Sequence, residues 1–187
     1  MTYDIEPSNY ELYKLLQRVQ DYEYGLFECI ISFLCYKMND SDELHEAVKL
    51  WLSDESKAKR KYGHIILWNT SNVTNMKNLF KNAKNFNEDI GGWDTSKVID
   101  MNQMFCYAIN FNQDIRMWDT SKVINMKKMF CYSINFNQDI RRWDTSKVTN
   151  MSYMFYSAIN FNKDISSWDT SKVTNMRSMV TSANMFY

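Results

Sequence analysis

The sequence is poor in the residues that usually punctuate a chain, with one proline and four glycines among 187 residues. Turns must therefore come from Asn, Asp and Ser, whose side chains bond their own backbone and tolerate left-handed conformations. Histidine is scarcer still, only His45 and His64. That leaves little material for a zinc site or a Ser-His-Asp triad. No catalytic, cofactor-binding or metal-ligating residue is nominated, and no enzyme activity is expected. An excess of either charge is also missing, because 22 basic and 22 acidic side chains cancel. The broad attraction of a general nucleic-acid binder is thereby absent, and no nucleic-acid partner is expected. Long apolar runs are lacking too: the stretch 26–36 is interrupted by Glu28 and falls short of the roughly 18 to 20 residues that span a bilayer. Membrane insertion is not expected. The opening MTYDIEPSNY carries acids where a secretory leader carries bases, so an intracellular, cytoplasmic location is expected over secretion. Cys29, Cys35, Cys106 and Cys131 form no CxxC pair, and four reduced thiols in a reducing compartment are the simplest assignment.

What is present is a core-forming composition, 45% apolar and 16% aromatic, arranged as a repeat. Trp68, Trp93, Trp118, Trp143 and Trp168 stand 25 residues apart without drift. Each opens the same phrase: WNTSNVTNM, WDTSKVIDM, WDTSKVINM, then WDTSKVTNM twice. A fixed period of this size marks an architecture in which each unit stacks on the next to bury a shared core.

The spacing inside the unit predicts its local structure. Met151, Met154, Phe155 and Ala158 follow i, i+3, i+4, i+7, the stripe of a helix that buries one face. Asn75, Asp100, Asn125, Asn150 and Asn175 stand just before the equivalent stripes, where a helix needs an acceptor for its first N–H groups. A short helix of two to three turns is expected after each. The other half of the unit, FNQDIRRW in one copy, places Phe136, Ile140 and Trp143 as anchors of a short strand stacked on its neighbours. Together these predict an α/β fold: a right-handed solenoid of 25-residue strand-turn-short helix repeats, leucine-rich-repeat-like, with an α-helical N-terminal cap.

Two regions follow from the pattern. Residues 63–187 hold the five copies, with GHIILW as a first strand. Residues 1–62 hold no repeat. Asp40 to Glu43 reads as a capping box ahead of Leu44, Ala47, Val48, Trp51 and Leu52 at helical spacing. A second helix is expected from near Ser53 to Gly63, and residues 8–37 also look helical. Charge divides along the same line: 8 basic and 12 acidic side chains in 1–62 against 14 and 10 in 63–187.

WDTSKVTNM, MFYSAINFN and FNQDIRRW resemble the BspA-like surface-protein repeats, a leucine-rich-repeat-like family also known as mycoplasma-type repeats of unknown function. The resemblance covers residues 63–187, and ELHEAVKLW followed by KYGHIILW is similar to the lead-in of members from algae, protists and large DNA viruses. It implies an α/β solenoid and, as in bacterial members, adhesion or host-surface interaction.

The Trp, Met and Phe columns are assigned to the core, and the Asp94, Asp119, Asp144 and Asp169 column to turn capping. Function is expected where copies differ. The residues before each Trp and the exposed side of the helical segment nominate Arg116, Arg141, Arg142, Lys127, Lys128 and Tyr153 as a binding patch. Such arginines suit bidentate contact with carboxylates or phosphates. A non-catalytic scaffold for an unidentified protein partner is the expected function. The alternative is a structural or self-assembling surface or virion-associated protein, stacking end to end through a C-terminus where Val180 replaces the usual Phe and no cap is recognisable.

Overall fold

The computed structural model describes residues 35–181. The helical expectation for residues 8–37 falls almost wholly outside that range, as do the last residues, 182–187. Two helices occur among the described residues: α1, Ser41–Ser53, and α2, Glu55–Tyr62. Both start on an aspartate. Asp40 accepts the N–H of Glu43 and Asp54 that of Lys57, satisfying donors that have no partner inside the helix. Glu43 reaches back to accept the N–H of Asn39 at 2.7 Å, a variant of the capping box displaced by one residue from the cap's own N–H. Gly63 ends α2 with φ 71°, a left-handed conformation open to glycine at no steric cost.

The remainder corrects the strand-turn-helix α/β expectation. No strand, no sheet and no α-helix forms in the repeats among the described residues; each copy is a coil built from turns. Even GHIILW is a 3-10 turn, Ile65–Leu67, rather than a strand. Counting coils from their tryptophans, neighbours meet at single parallel bridges, Asn75 to Asp100, Asp100 to Asn125, Asn125 to Asn150 and Asn150 to Asn175.

Hydrogen-bond accounting explains the outcome. After the first bridge, the N–H groups of Met76, Asn78, Phe80 and Asn82 are donated to Asp100, Asn102, Met104 and Cys106 of the next coil. They are therefore unavailable for the i−4 carbonyls that a helix requires. The residues between them close i to i+3 turns, Leu79 onto Met76, Lys81 onto Asn78 and Ala83 onto Phe80. Asn78 and Asn82 have φ of 62° and 65°, and every later coil repeats positive φ at the first of these positions, which no right-handed helix contains. Asn75, Asp100, Asn125, Asn150 and Asn175 do accept an N–H two residues on, but as Asx turns rather than helix caps. In the expected strand, Asn87 Oδ1 takes the N–H of Asn112, and Asn112 Oδ1 that of Asn137. A side-chain ladder replaces the backbone ladder of a sheet.

The large side chains stack in register. Trp118, Trp143 and Trp168 lie face to face at 6.4 Å, and Phe80, Phe105 and Phe130 at 5.5 Å. Within a coil Phe105 meets Phe111 at 3.9 Å. Trp118 donates its indole N–H to the carbonyl of Ile90 one coil back, and Trp143 to that of Ile115. Thr95, Thr120 and Thr145 are buried and donate to Asp119, Asp144 and Asp169 one coil on. Such pairing is what permits buried polar groups.

The helices cover the first coil. Trp51 and Tyr62 meet Trp68 edge-on at 5.8 and 5.9 Å. Ser41 Oγ accepts the N–H groups of Thr74 and Asn75, and His45 Nε2 lies 2.9 Å from the carbonyl of Lys77. Residues 36–38 pair with Asn69 through two backbone hydrogen bonds. No helix among the described residues is long and apolar enough to cross a membrane.

Candidate functional site

Because constant positions build the stack, the turn that follows each bridge is where the coils diverge. Position 78 and its equivalents carry Asn78, Gln103, Lys128, Tyr153 and Ser178, all with φ between 50° and 62°. Position 82 carries Asn82, Tyr107, Tyr132 and Ser157, with φ between 57° and 65°. A left-handed residue other than glycine costs on the order of 1–2 kcal/mol, and asparagine tolerates it best. The first coil uses Asn at both positions. The second, third and fourth instead hold Gln, Lys and Tyr there, against local backbone preference.

Those costly side chains converge. Tyr107 and Tyr132 stack at 4.5 Å with planes 7° apart. Tyr156 meets Tyr132 edge-on at 5.5 Å and Tyr153 at 5.8 Å. Lys128 Nζ lies over the Tyr153 ring at 5.4 Å, and the Arg177 guanidinium at 6.0 Å. Attraction between a cation and a ring face holds both charges there at about 0.5–1 kcal/mol each. Desolvation and the neighbouring Tyr132 hydroxyl raise the Tyr107 pKa above the ordinary tyrosine value. The result is a ridge of phenol rings, hydroxyls and two cations. Tyr107 is 39% exposed.

The six residues nominated from sequence divide. Lys128 and Tyr153 enter the ridge, and Lys127 is half-buried beside Lys128. Arg116 and Arg141 are instead engaged within their own turns. Arg116 Nε donates to Asp114 at 2.7 Å, and Arg141 donates through Nε and Nη2 to Asp139 at 2.9 and 2.7 Å. Arg141 holds the Asp139 carboxyl down to about 2. Both guanidiniums therefore already grip a carboxylate, while Arg142 is exposed. Tyr107, Tyr132, Tyr156 and Arg177 were not nominated. For Tyr107 and Tyr132 the signal is the repeated Cys-Tyr pair at 106–107 and 131–132, visible only when the copies are aligned column by column; Tyr156 and Arg177 carry no such signal.

Elsewhere, the last described coil has an apolar hollow of ≈ 460 Å³ lined in part by Ile165, Trp168, Met176 and Val180. Among the described residues no cluster of three or more His, Cys, Asp or Glu side chains could hold a metal ion.

A stack of 25-residue coils joined by in-register hydrogen bonds and ring ladders defines a repeat protein. A family profile described as Mycoplasma protein of unknown function, DUF285, matches residues 52–139 and again 114–187. The chain belongs to that repeat-containing family. No curated protein and no solved structure matches it.

Proposed function

We propose that this chain is a non-catalytic scaffold that binds another protein through the tyrosine ridge of its second to fourth coils. The observation that carries this is the placement of Tyr107, Lys128, Tyr132 and Tyr153 at left-handed positions, where the first coil uses asparagine. Strained backbone held against local preference is a signature of functional sites. Tyrosine supplies large contact area at small conformational cost, and aromatic and cationic anchors dominate binding energy at protein interfaces. The partner that fits is a protein surface rich in acidic and aromatic side chains. The narrower likeness to BspA-like surface repeats supports the same reading, since a surface-recognition role needs a displayed face and no reacting groups.

Panning a display library of folded domains against the chain, with a Tyr107→Ser, Lys128→Ser, Tyr153→Ser variant as counter-selection, tests the proposal. Binders enriched on the native chain should lose at least about tenfold in affinity on the variant, the ~1.4 kcal/mol that one anchor supplies. Binders that ignore the three substitutions would refute it.

A second reading, self-association at the C-terminal side, rests on the last described coil. Ile165, Val173 and Val180 are only partly buried there, whereas Ile140 and Val148 one coil earlier are fully buried. A sedimentation coefficient that rises with concentration supports this reading, and a constant monomer mass opposes it.

A further inference from the structure

Cys106 and Cys131 occupy equivalent positions of the second and third coils, in the column that begins with Lys81 and continues to Tyr156. They are 2% and 5% exposed, and both are reduced. Backbone hydrogen bonds set the spacing between them: the Phe105 N–H reaches the Met129 carbonyl at 2.9 Å and the Tyr107 N–H the Cys131 carbonyl at 2.8 Å, which puts the two coils at the ~4.8 Å separation of hydrogen-bonded neighbours. A disulfide needs Cα atoms about 4.4–6.8 Å apart, so adjacent coils already stand at bridging distance. The backbone is fixed around the pair, with the Asn82 N–H on the Cys106 carbonyl and the Tyr107 N–H on the Cys131 carbonyl, both at 2.8 Å.

We propose that Cys106 and Cys131 form an oxidant-sensitive dithiol, closing on exposure to a peroxide into a disulfide that ties the second coil to the third. The two sulfurs are not equivalent. The column places Lys81 beside Cys106 and Tyr156 beside Cys131, so the positive charge of Lys81 favours the thiolate of Cys106 alone, in the direction that lowers its pKa. Cys106 is therefore the attacking thiolate and Cys131 the resolving thiol. The Cys106 sulfur attacks one peroxide oxygen, the O–O bond breaks, and the departing oxygen takes a proton to leave as water. The Cys131 sulfur then attacks the Cys106 sulfenic acid. The S–S bond forms, the S–O bond breaks, and the hydroxyl leaves as a second water with the Cys131 proton. Both sulfurs are oxidised by one electron each, and the peroxide is reduced by two.

Trypsin separates the cysteines, placing Cys106 in peptide 98–116 and Cys131 in peptide 129–141. The full chain, reduced and then treated with a small molar excess of hydrogen peroxide, is alkylated and digested without reductant. The expected product is these two peptides joined and lighter by two hydrogens. In chain unfolded in urea before oxidation, Cys29 and Cys35, which close the shortest loop, should pair instead. Substitution is tolerated here, since the same column accepts Lys81 and Tyr156. In a Cys131→Ser chain, a cyclic dione should trap sulfenic acid on Cys106 faster than on Cys131 in a Cys106→Ser chain, because Lys81 neighbours Cys106 alone. Recovery of both peptides singly alkylated at a dose that oxidises half-buried Cys35 overturns the proposal. A 106–131 bridge forming equally well in urea, or equal trapping in the two variants, overturns it as well.

Discussion

Lys128 sits at φ 56° with its ammonium over Tyr153, so one residue carries both a backbone cost and a surface role. Lys128→Asn should raise stability by at most a few tenths of a kcal/mol, because the backbone cost relieved by asparagine, about 1 kcal/mol, is largely offset by the cation–ring attraction that is lost. The gain is read as a higher urea midpoint at unchanged slope, and partner affinity should fall in the same variant. Residue chemistry also sets the acid response. Asp119 and Asp144 accept from Ser121 and Ser146, and Asp139 from Arg141; each interaction lowers the carboxyl pKa. A carboxyl lowered on folding stabilises the fold above its unfolded value, and that contribution disappears as pH falls through the folded value. For Asp139 the window runs from 3.8 to about 2. Thermal midpoints should stay level above about pH 5 and drop between roughly pH 4 and 2. Asp139→Asn should start from a lower midpoint and show a smaller drop.

At the scale of elements, the helices and the repeats obey different rules. α1 depends on its first turn: Asp40→Ala should cost about 1 kcal/mol and loosen Ser41 from Thr74 and Asn75, measured as faster amide exchange at those two residues. Its capping box was legible in the sequence because Asp40 and Glu43 act within four residues. The coils were not legible in the same way. Met76, Leu79 and Phe80 are buried as their spacing implies, yet a chain of i to i+3 turns presents that spacing as well as a helix does. What decides between them is the destination of the Met76, Asn78, Phe80 and Asn82 N–H groups, which lies 24 residues ahead, on Asp100, Asn102, Met104 and Cys106. No local window contains that information. The candidate site was half legible for a related reason. Variation between copies pointed to Lys128 and Tyr153, but the tyrosines that gather around them come from three different coils. Arg116 and Arg141 looked available because Asp114 and Asp139, two residues back, fall in the segment expected to form a strand, whereas the chain turns there and folds each carboxylate onto its arginine.

The molecule as a whole is a register device. Removing residues 118–142 takes out one full period and rejoins Met117 to Trp143, which brings Trp93 into stacking range of Trp143. A shorter folded chain should result, with near-ultraviolet circular dichroism retained. Removing 12 of those residues should abolish it, since each coil rests on its neighbours. Phe130→Ala, which empties a fully buried ring contacting Phe105, Phe136 and Phe155, should cost about 3–5 kcal/mol by chemical denaturation.

The inter-coil hydrogen bonds, such as Met101 to Asn125 and Phe105 to Met129, join successive layers much as rungs join a rope ladder. Tension applied between the two ends would load one interface at a time, and the weakest would part first. Each rupture should release roughly 80 Å of slack, the length of 25 extended residues. Optical tweezers should therefore record a sawtooth of evenly spaced steps, one for each coil that lets go.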